Sequence, residues 1–366
     1  MPPAPPDRSA LLPLLEARLG DVPLALSLAR RGALQLAVLA AAAVRQGGTA
    51  EETPVPLRLR LTLGHTTVWC QGGSIRLGPD PATAPPLNGT VARLTADKPA
   101  LNRWLADRGF STPTGQAFAA ADRAAALAWA NRRTGPVCIK PPSGSLGWGV
   151  APGLTGDLAV GDAFDTVADR CGAVLVEQHV SSGPPLPAGA TVRVMWVAPD
   201  HVTLRMDVPA AVTGDGRRPV SALLAERNAS RAARTGQPPI LPDAALLARL
   251  ADQGHSLSSI PAAGQRVALR HVSNASQGGD SHTALPEIHP SYAAEVIRLF
   301  RSLPGTRAGA ADLALADPTA PCRPGNHWIL DVNLSPGIVQ YHFPWSGPPR
   351  DVAAALVREL QLENEA

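Results

Sequence analysis

The sequence has few charged and few aromatic residues. Of its 366 residues, 17% are Asp, Glu, Lys or Arg and 4% are Phe, Trp or Tyr. The formal net charge of +3 is small for this length and no long basic run is present, so a nucleic-acid partner is not indicated. The hydrophobic content of 45% is typical of a soluble globular protein, and the length predicts two or three lobes with separate cores.

Cysteine is scarce, and long apolar runs are missing. The four cysteines, Cys70, Cys138, Cys171 and Cys322, are isolated and form no CxxC pair. This argues against a zinc site or a disulfide framework and predicts reduced thiols in the cytoplasm. The apolar stretch that follows Arg30 and Arg31 is shorter than the roughly 20 residues of a membrane-spanning helix. We therefore expect a buried helix there and no membrane partner.

Turn residues suggest one main boundary. Leu and Ala recur at helical spacing over residues 10–46, and apolar and basic residues alternate as in a strand over 55–63. The segment 78–89 is dense in Pro and Gly, which is typical of a linker. We predict an N-terminal domain at 1–88 with a role in substrate binding, and a second unit at 89–366.

The second unit mixes helices and strands without regular βαβ repeats, which predicts an α+β (α/β mixed) fold and argues against a doubly wound sheet. Asp97 suits a helix N-cap, Pro99 the first turn and Gly109 the stop. Residues 212–265 are expected to form turns and short helices. Further helices are predicted at about 121–133, 160–170 and 349–363, with one between the strands at 266–271 and 307–315; other strands are predicted at 136–140, 173–180, 191–198, 201–208 and 327–333.

A lysine precedes a glycine-rich loop in the segment CIKPPSGSLGWGV. Lys140 ends an apolar strand, and Gly144, Gly147 and Gly149 follow. Successive glycines let backbone N–H groups approach an anion, and a nearby ammonium adds positive charge. The order is not that of a Walker loop, in which the lysine follows the glycines. The alternative is a surface turn with a solvated lysine.

Two further positions are ambiguous from their own surroundings. Lys98 lies in the first turn of a predicted helix, where a solvated side chain is the alternative to a ligand contact. Glu177 ends a hydrophobic strand, where backbone groups could face a base or the strand could simply end.

Three oxygen-bearing side chains lie on two predicted neighbouring strands. Asp331 and Asn333 are two residues apart in a strand and therefore project from one face, and Asp312 lies within a small apolar strand. Hard oxygen donors with so few charges suit Mg²⁺, with Mn²⁺ as a substitute, and a dication would offset the cost of burying the carboxylates. Salt bridges or turn caps are the alternative.

An arginine and an amide precede a Gly-Gly pair. Arg270 is placed at a strand end, and Asn274 follows before Gly278 and Gly279. Such groups can hold an anionic transition state. A hairpin with a surface arginine is the alternative.

Taken in order, these segments resemble those of ATP-grasp ligases, in particular the ATP-grasp part of cyanophycin synthetase and glutathione-synthetase-like ligases. The resemblance spans about 89–366 and includes VTGDG, GGDSHTALPEIHP and NLSPGIVQYHF. It implies an ATP-grasp fold in which two α+β lobes hold the nucleotide, here with an additional N-terminal domain. The lid subdomain would cover about 134–182 and the metal-binding lobe about 183–366.

The resemblance also implies roles for individual residues. Arg270, Asn274 and Lys140 would be catalytic, and Asp312, Asp331 and Asn333 would bind the metal. The ATP-binding residues would be Lys98, Lys140, Ser143, Gly144, Ser145, Gly147, Glu177, Gln178, His179 and Val180. The family usually has Glu where this sequence has Asp331, another pair where it has Gln178-His179, and no equivalent of Trp148.

The function implied is an ATP-dependent ligase that joins a carboxylate, activated as an acyl phosphate, to an amine. The substrates would be small molecules such as amino acids or small peptides, and the protein could form homo-oligomers, as relatives often do. No GxxxxGK[ST] sequence is present, so we do not expect cyanophycin synthesis itself. A phosphotransferase with the same nucleotide site and a nucleotide-binding protein without turnover are the alternatives.

Overall fold

The computed structural model describes residues 11–144 and 147–362. Its helices are α1 (Leu12–Leu19), α2 (Pro23–Arg30), α3 (Leu34–Arg45), α4 (Ala92–Ala96), α5 (Lys98–Ala106), α6 (Arg123–Asn131), α7 (Asp157–Cys171), α8 (Val220–Thr235), α9 (Ala244–Ala251), α10 (Ser291–Ser302), α11 (Val339–His342) and α12 (Val352–Gln361). Its strands are β1 (Thr49–Glu52), β2 (Arg58–Leu63), β3 (Thr66–Gln71), β4 (Ser74–Leu77), β5 (Gly115–Ala119), β6 (Val137–Lys140), β7 (Ala151–Leu154), β8 (Ala173–Gln178), β9 (Thr191–Val197), β10 (His201–Val208), β11 (Ala211–Thr213), β12 (Arg266–Ala268), β13 (Asp280–His282), β14 (Ala308–Leu315) and β15 (His327–Asn333).

The N-terminal region packs three helices against the antiparallel sheet β1-β2-β3-β4. The helical stretch predicted at 10–46 is three helices, because the backbone turns at Gly20 and Gly32, both with positive φ. Helix α3 is almost fully buried, which confirms the predicted buried helix. Among the described residues, no helix combines the length and the apolar character needed to cross a membrane.

The core of the N-terminal region continues into the C-terminal part of the chain. Residues of α1–α3 and β2–β3 share one cluster with Met195 and Val197 of β9, with Tyr341 of α11 and with residues of α12. The predicted boundary falls at Asn88, whose buried side chain bonds the backbone of β14. Residues 11–88 therefore do not have a separate core.

A second sheet, in the order β5-β8-β6-β7, packs against α6 and α7 around Phe164. This unit lies over one side of the cavity described below. The predicted lid range of 134–182 leaves out β5 and α6, although β5 pairs with β8 along its whole length and α6 contributes Trp129 to the same core.

The largest sheet has the order β13-β10-β9-β14-β15 and is antiparallel throughout. The predicted adjacent strands at 191–198 and 201–208 are confirmed as β9 and β10. Helix α10 covers one face, where Trp196 and Phe300 stack at 5.5 Å between ring centroids. The opposite face is shared between the N-terminal core and the cavity.

One segment differs from its predicted structure. Residues 212–265 contain the 16-residue helix α8 as well as α9, and they connect the paired strands β11 and β12. The apolar stripe of α8 ends after Leu224, and the buried positions of its second half are Arg231 and Thr235. Because polar residues occupy these core positions, hydrophobic spacing did not reveal the helix.

Candidate active site

A cavity of about 910 Å³ separates the sheet β5-β8-β6-β7, called the lid sheet below, from the largest sheet. This volume is at the upper end of the range of small-molecule sites. Most predicted site residues line it. They are Lys98, Lys140, Ser143, Gly144, Gly147, Glu177, Gln178, His179, Val180, Asn274, Asp312, Asp331 and Asn333. Ser145 lies outside the described residues, and Arg270 does not line the cavity.

Lysine is confined to this cavity. The chain has two lysines, Lys98 and Lys140, among 33 basic Lys and Arg residues, and both line the cavity wall. At every other position where the chain has Lys or Arg, the residue is arginine. Lysine scarcity was visible in the sequence and is a signal that could have ranked these two positions first.

Lys140 joins the lid to the largest sheet. Its ammonium lies 2.6 Å from the Glu177 carboxylate and 3.5 Å from the Leu330 carbonyl oxygen on β15. Asn102 of α5 donates to the other Glu177 oxygen at 2.7 Å. Burial lowers the pKa of Lys140, but the Glu177 carboxylate more than offsets this, so the pKa lies above its ordinary value and the ammonium is charged at neutral pH. The alternative of a solvated lysine is wrong.

The start of α5 holds the glycine-rich loop. Asp97 caps the helix by accepting from the Ala100 amide at 2.9 Å, as predicted. The Lys98 ammonium donates to the Gly144 carbonyl at 2.8 Å and lies 3.9 Å from Asp331. Lys98 therefore faces both the loop and the predicted metal site.

The glycine-rich loop closely approaches the opposite wall of the cavity at Asn274. A Cβ atom on Gly147 would lie 2.5 Å from the Asn274 side-chain oxygen, and Gly147 has φ of +73°. Only a residue without a side chain allows this approach. Trp148 lines the cavity and also stacks under Arg170, whose Cζ lies 4.2 Å from the ring centroid.

Two backbone amides of the segment predicted to hold the base already form hydrogen bonds within the lid region. The amides of Gln178 and His179 donate to the carbonyl groups of Thr114 and Pro136 at 2.8 and 2.9 Å. Backbone recognition of a base would therefore use the carbonyl groups of this segment and the Val180 amide. Burial lowers the pKa of His179 and favours its neutral form.

A row of four charged residues crosses the largest sheet. Arg205, Arg193, Asp312 and Asp331 are consecutive Cα partners on β10, β9, β14 and β15. With strands about 4.8 Å apart, the row spans about 14 Å. Two adjacent cations therefore face two adjacent carboxylates on one surface of the cavity.

The acidic half of this row fits a hard dication. Asp312 and Asp331 are directly opposite each other, and the Asn333 amide lies beside Asp331, with its nitrogen 3.4 Å from the Asp331 Oδ2. Carboxylate and amide oxygens of this kind are ligands that Mg²⁺ accepts. Asp312 also accepts a two-pronged hydrogen bond from Arg193, so the salt-bridge alternative describes part of the site.

Arg270 lies behind the cavity wall. It is 7% exposed, and its guanidinium pairs with Asp243 at 2.6 and 2.8 Å and donates to the Gln277 carbonyl at 3.2 Å. Nearby, the buried Arg231 donates to the carbonyl groups of Ala275, Gly278 and Gly279. These arginines hold the 274–279 loop from outside. The alternative of a surface arginine is wrong, and a direct catalytic role for Arg270 stays a prediction without support from its contacts.

Two polar side chains at the far end of the cavity, Asp207 and Gln340, were not assigned from the sequence. Asp207 accepts from Arg205 at 3.1 Å and from the Ser281 hydroxyl at 2.5 Å, and Gln340 accepts from Arg205 at 3.3 Å. Arg205 and Asp207 are two apart on a strand, which is the same signal that singled out Asp331 and Asn333. Because their other partners, Ser281 and Gln340, come from distant segments, the sequence did not show that they share the cavity.

A second group of metal-ligand types lies outside the cavity, at Glu295, Cys322 and His327. Both Glu295 oxygens accept from Arg298, at 2.6 and 2.9 Å, and the nearer His327 nitrogen faces the Arg323 carbonyl. Protein groups outside this cluster therefore already contact its Glu295 and His327 ligand atoms.

The chain is similar in sequence and in fold to known synthetases. No protein-family model matches the chain. The glutathione biosynthesis bifunctional protein GshAB of Mannheimia succiniciproducens is 29% identical over 255 residues, which are 67% of this chain and 32% of that protein. The cyanophycin synthetase of Geminocystis herdmanii is 28% identical over 279 residues, which are 74% of this chain and 31% of that protein. The chain thus spans about a third of the length of the curated relatives it matches.

A solved structure agrees. The crystal structure of a bifunctional glutathione synthetase from Pasteurella multocida superposes with a TM-score of 0.59 and 23% identity, over 89% of this chain and 43% of that one. The predicted resemblance is confirmed: the chain is a homologue of the cyanophycin and glutathione synthetases, and it has the ATP-grasp fold.

Proposed function

We propose that this protein is an ATP-dependent ligase that joins a small carboxylic acid to an amine and releases ADP and phosphate. The observation that carries the proposal is the single cavity in which both lysines, the glycine-rich loop and the acidic half of the charged row come together. The homologous synthetases support the same reaction class. The cytoplasm, which supplies ATP and keeps thiols reduced, is the proposed location.

The nucleotide would lie between the two sheets. Lys98 and Lys140 would supply positive charge to its phosphates, and the glycine-rich loop, described at Ser143, Gly144 and Gly147 to Gly149, would cover them. The segment from Glu177 to Val180 would line the base and ribose, with the Glu177 side chain serving to hold Lys140. Asp312, Asp331 and Asn333 would hold Mg²⁺, which when bound would draw charge from the terminal phosphates.

The chemistry then needs two displacements. A carboxylate oxygen of the acid attacks the γ-phosphorus, the bond to the β-phosphate oxygen breaks, and ADP leaves. The amine, as free base, attacks the carbonyl carbon of the acyl phosphate, the carbon–oxygen bond to phosphate breaks, and the nitrogen loses a proton to water. The close approach of Gly147 to Asn274 would help to shield the acyl phosphate from water.

A substrate matrix tests the reaction class. Amino acids and dipeptides are supplied as acid, as amine and in pairs, and phosphate release and product mass are measured. A ligase forms product only when acid and amine are both present. A phosphorylated acid that accumulates without phosphate release would show a phosphotransferase, and ATP binding without turnover would show a binding protein. Homo-oligomerisation stays a prediction that sedimentation analysis would test.

The scarcity of lysine allows a second test that needs no substrate. An acyl-phosphate derivative of ATP acylates lysines near its phosphates, and peptide mass spectrometry of this chain can report only Lys98, Lys140 and the α-amino group. We expect lysine labelling that excess ATP suppresses, and loss of each labelled peptide in Lys98→Arg and Lys140→Arg respectively. The α-amino group serves as the internal reference. Lysine labelling that ATP does not reduce would contradict the proposed nucleotide site.

A further inference from the structure

Arg193 is hydrogen-bonded to Asp312, one of the carboxylates proposed to bind the metal. Its Nε and Nη2 atoms donate to the two oxygens of Asp312, each at 2.5 Å. The two side chains are 15% and 14% exposed, so water does little to weaken the pair. The guanidinium therefore covers both oxygens of one of the two carboxylates in the acidic half of the row.

We propose that Arg193 is a positioning residue that couples binding of the dication to binding of the acid substrate. This inference rests on the proposed function, because it takes Asp312 as a metal ligand. A dication on Asp312 competes with the guanidinium for the carboxylate charge and repels it, so metal binding weakens the hydrogen bonds from Arg193 to Asp312. Arg193 can then bind a planar carboxylate or a phosphate group, which its fork fits in the same way.

The neighbouring arginine is not released in this exchange. Arg205 is held by Asp207, and Asp207 is held in turn by Ser281, none of which belongs to the acidic half of the row. Gln340 and the ring of Tyr341 complete its surroundings. Metal binding thus loosens one guanidinium, which lies one strand from Asp312 and two strands from Asp331, close to the proposed metal and to the phosphate that it would hold. The acid is therefore expected to bind after the metal.

Coupling of this kind is reciprocal, so loss of Arg193 has to change metal affinity by itself. Mn²⁺ is titrated into the nucleotide-free protein, and free Mn²⁺ is followed by electron paramagnetic resonance. We expect Arg193→Gln to bind Mn²⁺ roughly tenfold more tightly than wild type, within the usual range for coupled sites. Arg193→Lys, which keeps the charge but loses the fork, should show a smaller increase.

Arg205→Gln is the matched control. It removes the same charge from the same cavity, one strand further from the metal ligands. Its Mn²⁺ affinity should stay within about twofold of wild type, because its partner is Asp207. Equal gains in both variants would show a general charge effect and overturn the proposal, as would an unchanged affinity in Arg193→Gln. Thermal melting of each variant establishes that it is folded.

A metal-free experiment tests the other half of the coupling. In Asp312→Asn the guanidinium loses its carboxylate partner, so it should bind an anion without any metal. With EDTA present, calorimetry with inorganic phosphate should show about tenfold tighter binding than wild type. The gain should disappear in Arg193→Gln/Asp312→Asn. No gain in the single variant would overturn the proposal.

Failure of this inference and failure of the proposed function give different results. Both binding experiments are done without turnover. If wild type ligates acid and amine while the Mn²⁺ and phosphate affinities do not change, only the coupling is wrong. If the affinities change as expected and no acid–amine pair reacts, the coupling stands and the ligase assignment is wrong.

Discussion

The buried pair of Lys140 and Glu177 allows a structural role to be separated from a catalytic one. We consider Lys140→Met, Glu177→Gln and the double variant that combines them. The side chains are 8% and 3% exposed and their charged atoms are 2.6 Å apart. Each single change removes one charge and leaves the other buried without its partner.

The expected free energies of unfolding follow from this burial. Breaking a buried pair from one side costs about 3–5 kcal/mol, whereas replacing both charges by neutral groups is often close to neutral. Each single variant should therefore lose about 3–5 kcal/mol, and the double variant should recover to within about 1 kcal/mol of wild type. The Asn102 amide can still donate to Gln at position 177, so the side-chain oxygen there keeps its donor.

The pH of the measurement matters. Because the folded pKa of Lys140 is raised, the pair contributes its full stability below the pKa of an unfolded lysine, about 10.4, and loses it only as pH rises through the folded pKa. Urea unfolding at pH 7, followed by circular dichroism, is therefore within the range where the pair is intact. ADP release is measured on the same samples.

We expect the double variant to be stable and inactive, because the ammonium proposed to contact the phosphates is gone. A stable double variant with ADP release near that of wild type would show that Lys140 is purely structural and would remove it from the mechanism. A double variant that loses the sum of the two single losses, about 6–10 kcal/mol, would refute the pairing energetics, since the losses would then be additive.

Three further changes test other parts of the structure. Gly147→Ala forces a side chain to φ of +73° and against the Asn274 oxygen, so the dissociation constant of ATP should rise about tenfold in fluorescence titrations, and Asn274→Ala should restore part of the loss. Asn88→Leu removes a buried amide that bonds backbone groups of β14, so urea unfolding should show a loss of about 3 kcal/mol. Burial lowers the pKa of His342 to about 4, and stability from its neutral form is lost as pH falls below the unfolded value. Between pH 7 and pH 4, wild type should therefore lose about 3 kcal/mol more than His342→Gln, measured by urea unfolding at each pH.

Local patterns predicted much of the fold. Asp97, Pro99 and Gly109 marked both ends of α5, and apolar alternation placed β2, β9 and β10, because caps and strand periodicity depend on residues close in sequence. Helix α8 was missed because its buried positions include Arg231 and Thr235, whose partners are backbone groups far along the chain. No local pattern can reveal a core position that is satisfied from a distance.

The predicted site residues divide along the same line. Lys140, Asp331 and Asn333 could be singled out within their own segments, whereas Lys98 was ambiguous there and was assigned through the resemblance. Arg270 stood out equally, but Asp243 and the Gln277 carbonyl turn it away from the cavity. Whether a charged side chain at a strand end points into the cavity or away from it depends on which partner is within reach. That partner is determined by the packing of distant segments.

By itself, the sequence determined which side chains could carry the chemistry and in what order they occur along the chain. Only the tertiary structure decided that Arg193 lies opposite Asp312 on the adjacent strand, that Lys140 is paired with Glu177, and that the N-terminal region shares its core with the C-terminal lobe. The physical reason is that strand register and helix packing bring together residues that are far apart in the sequence, 119 positions for Arg193 and Asp312, and the charge on each is balanced only by the neighbours that this packing provides.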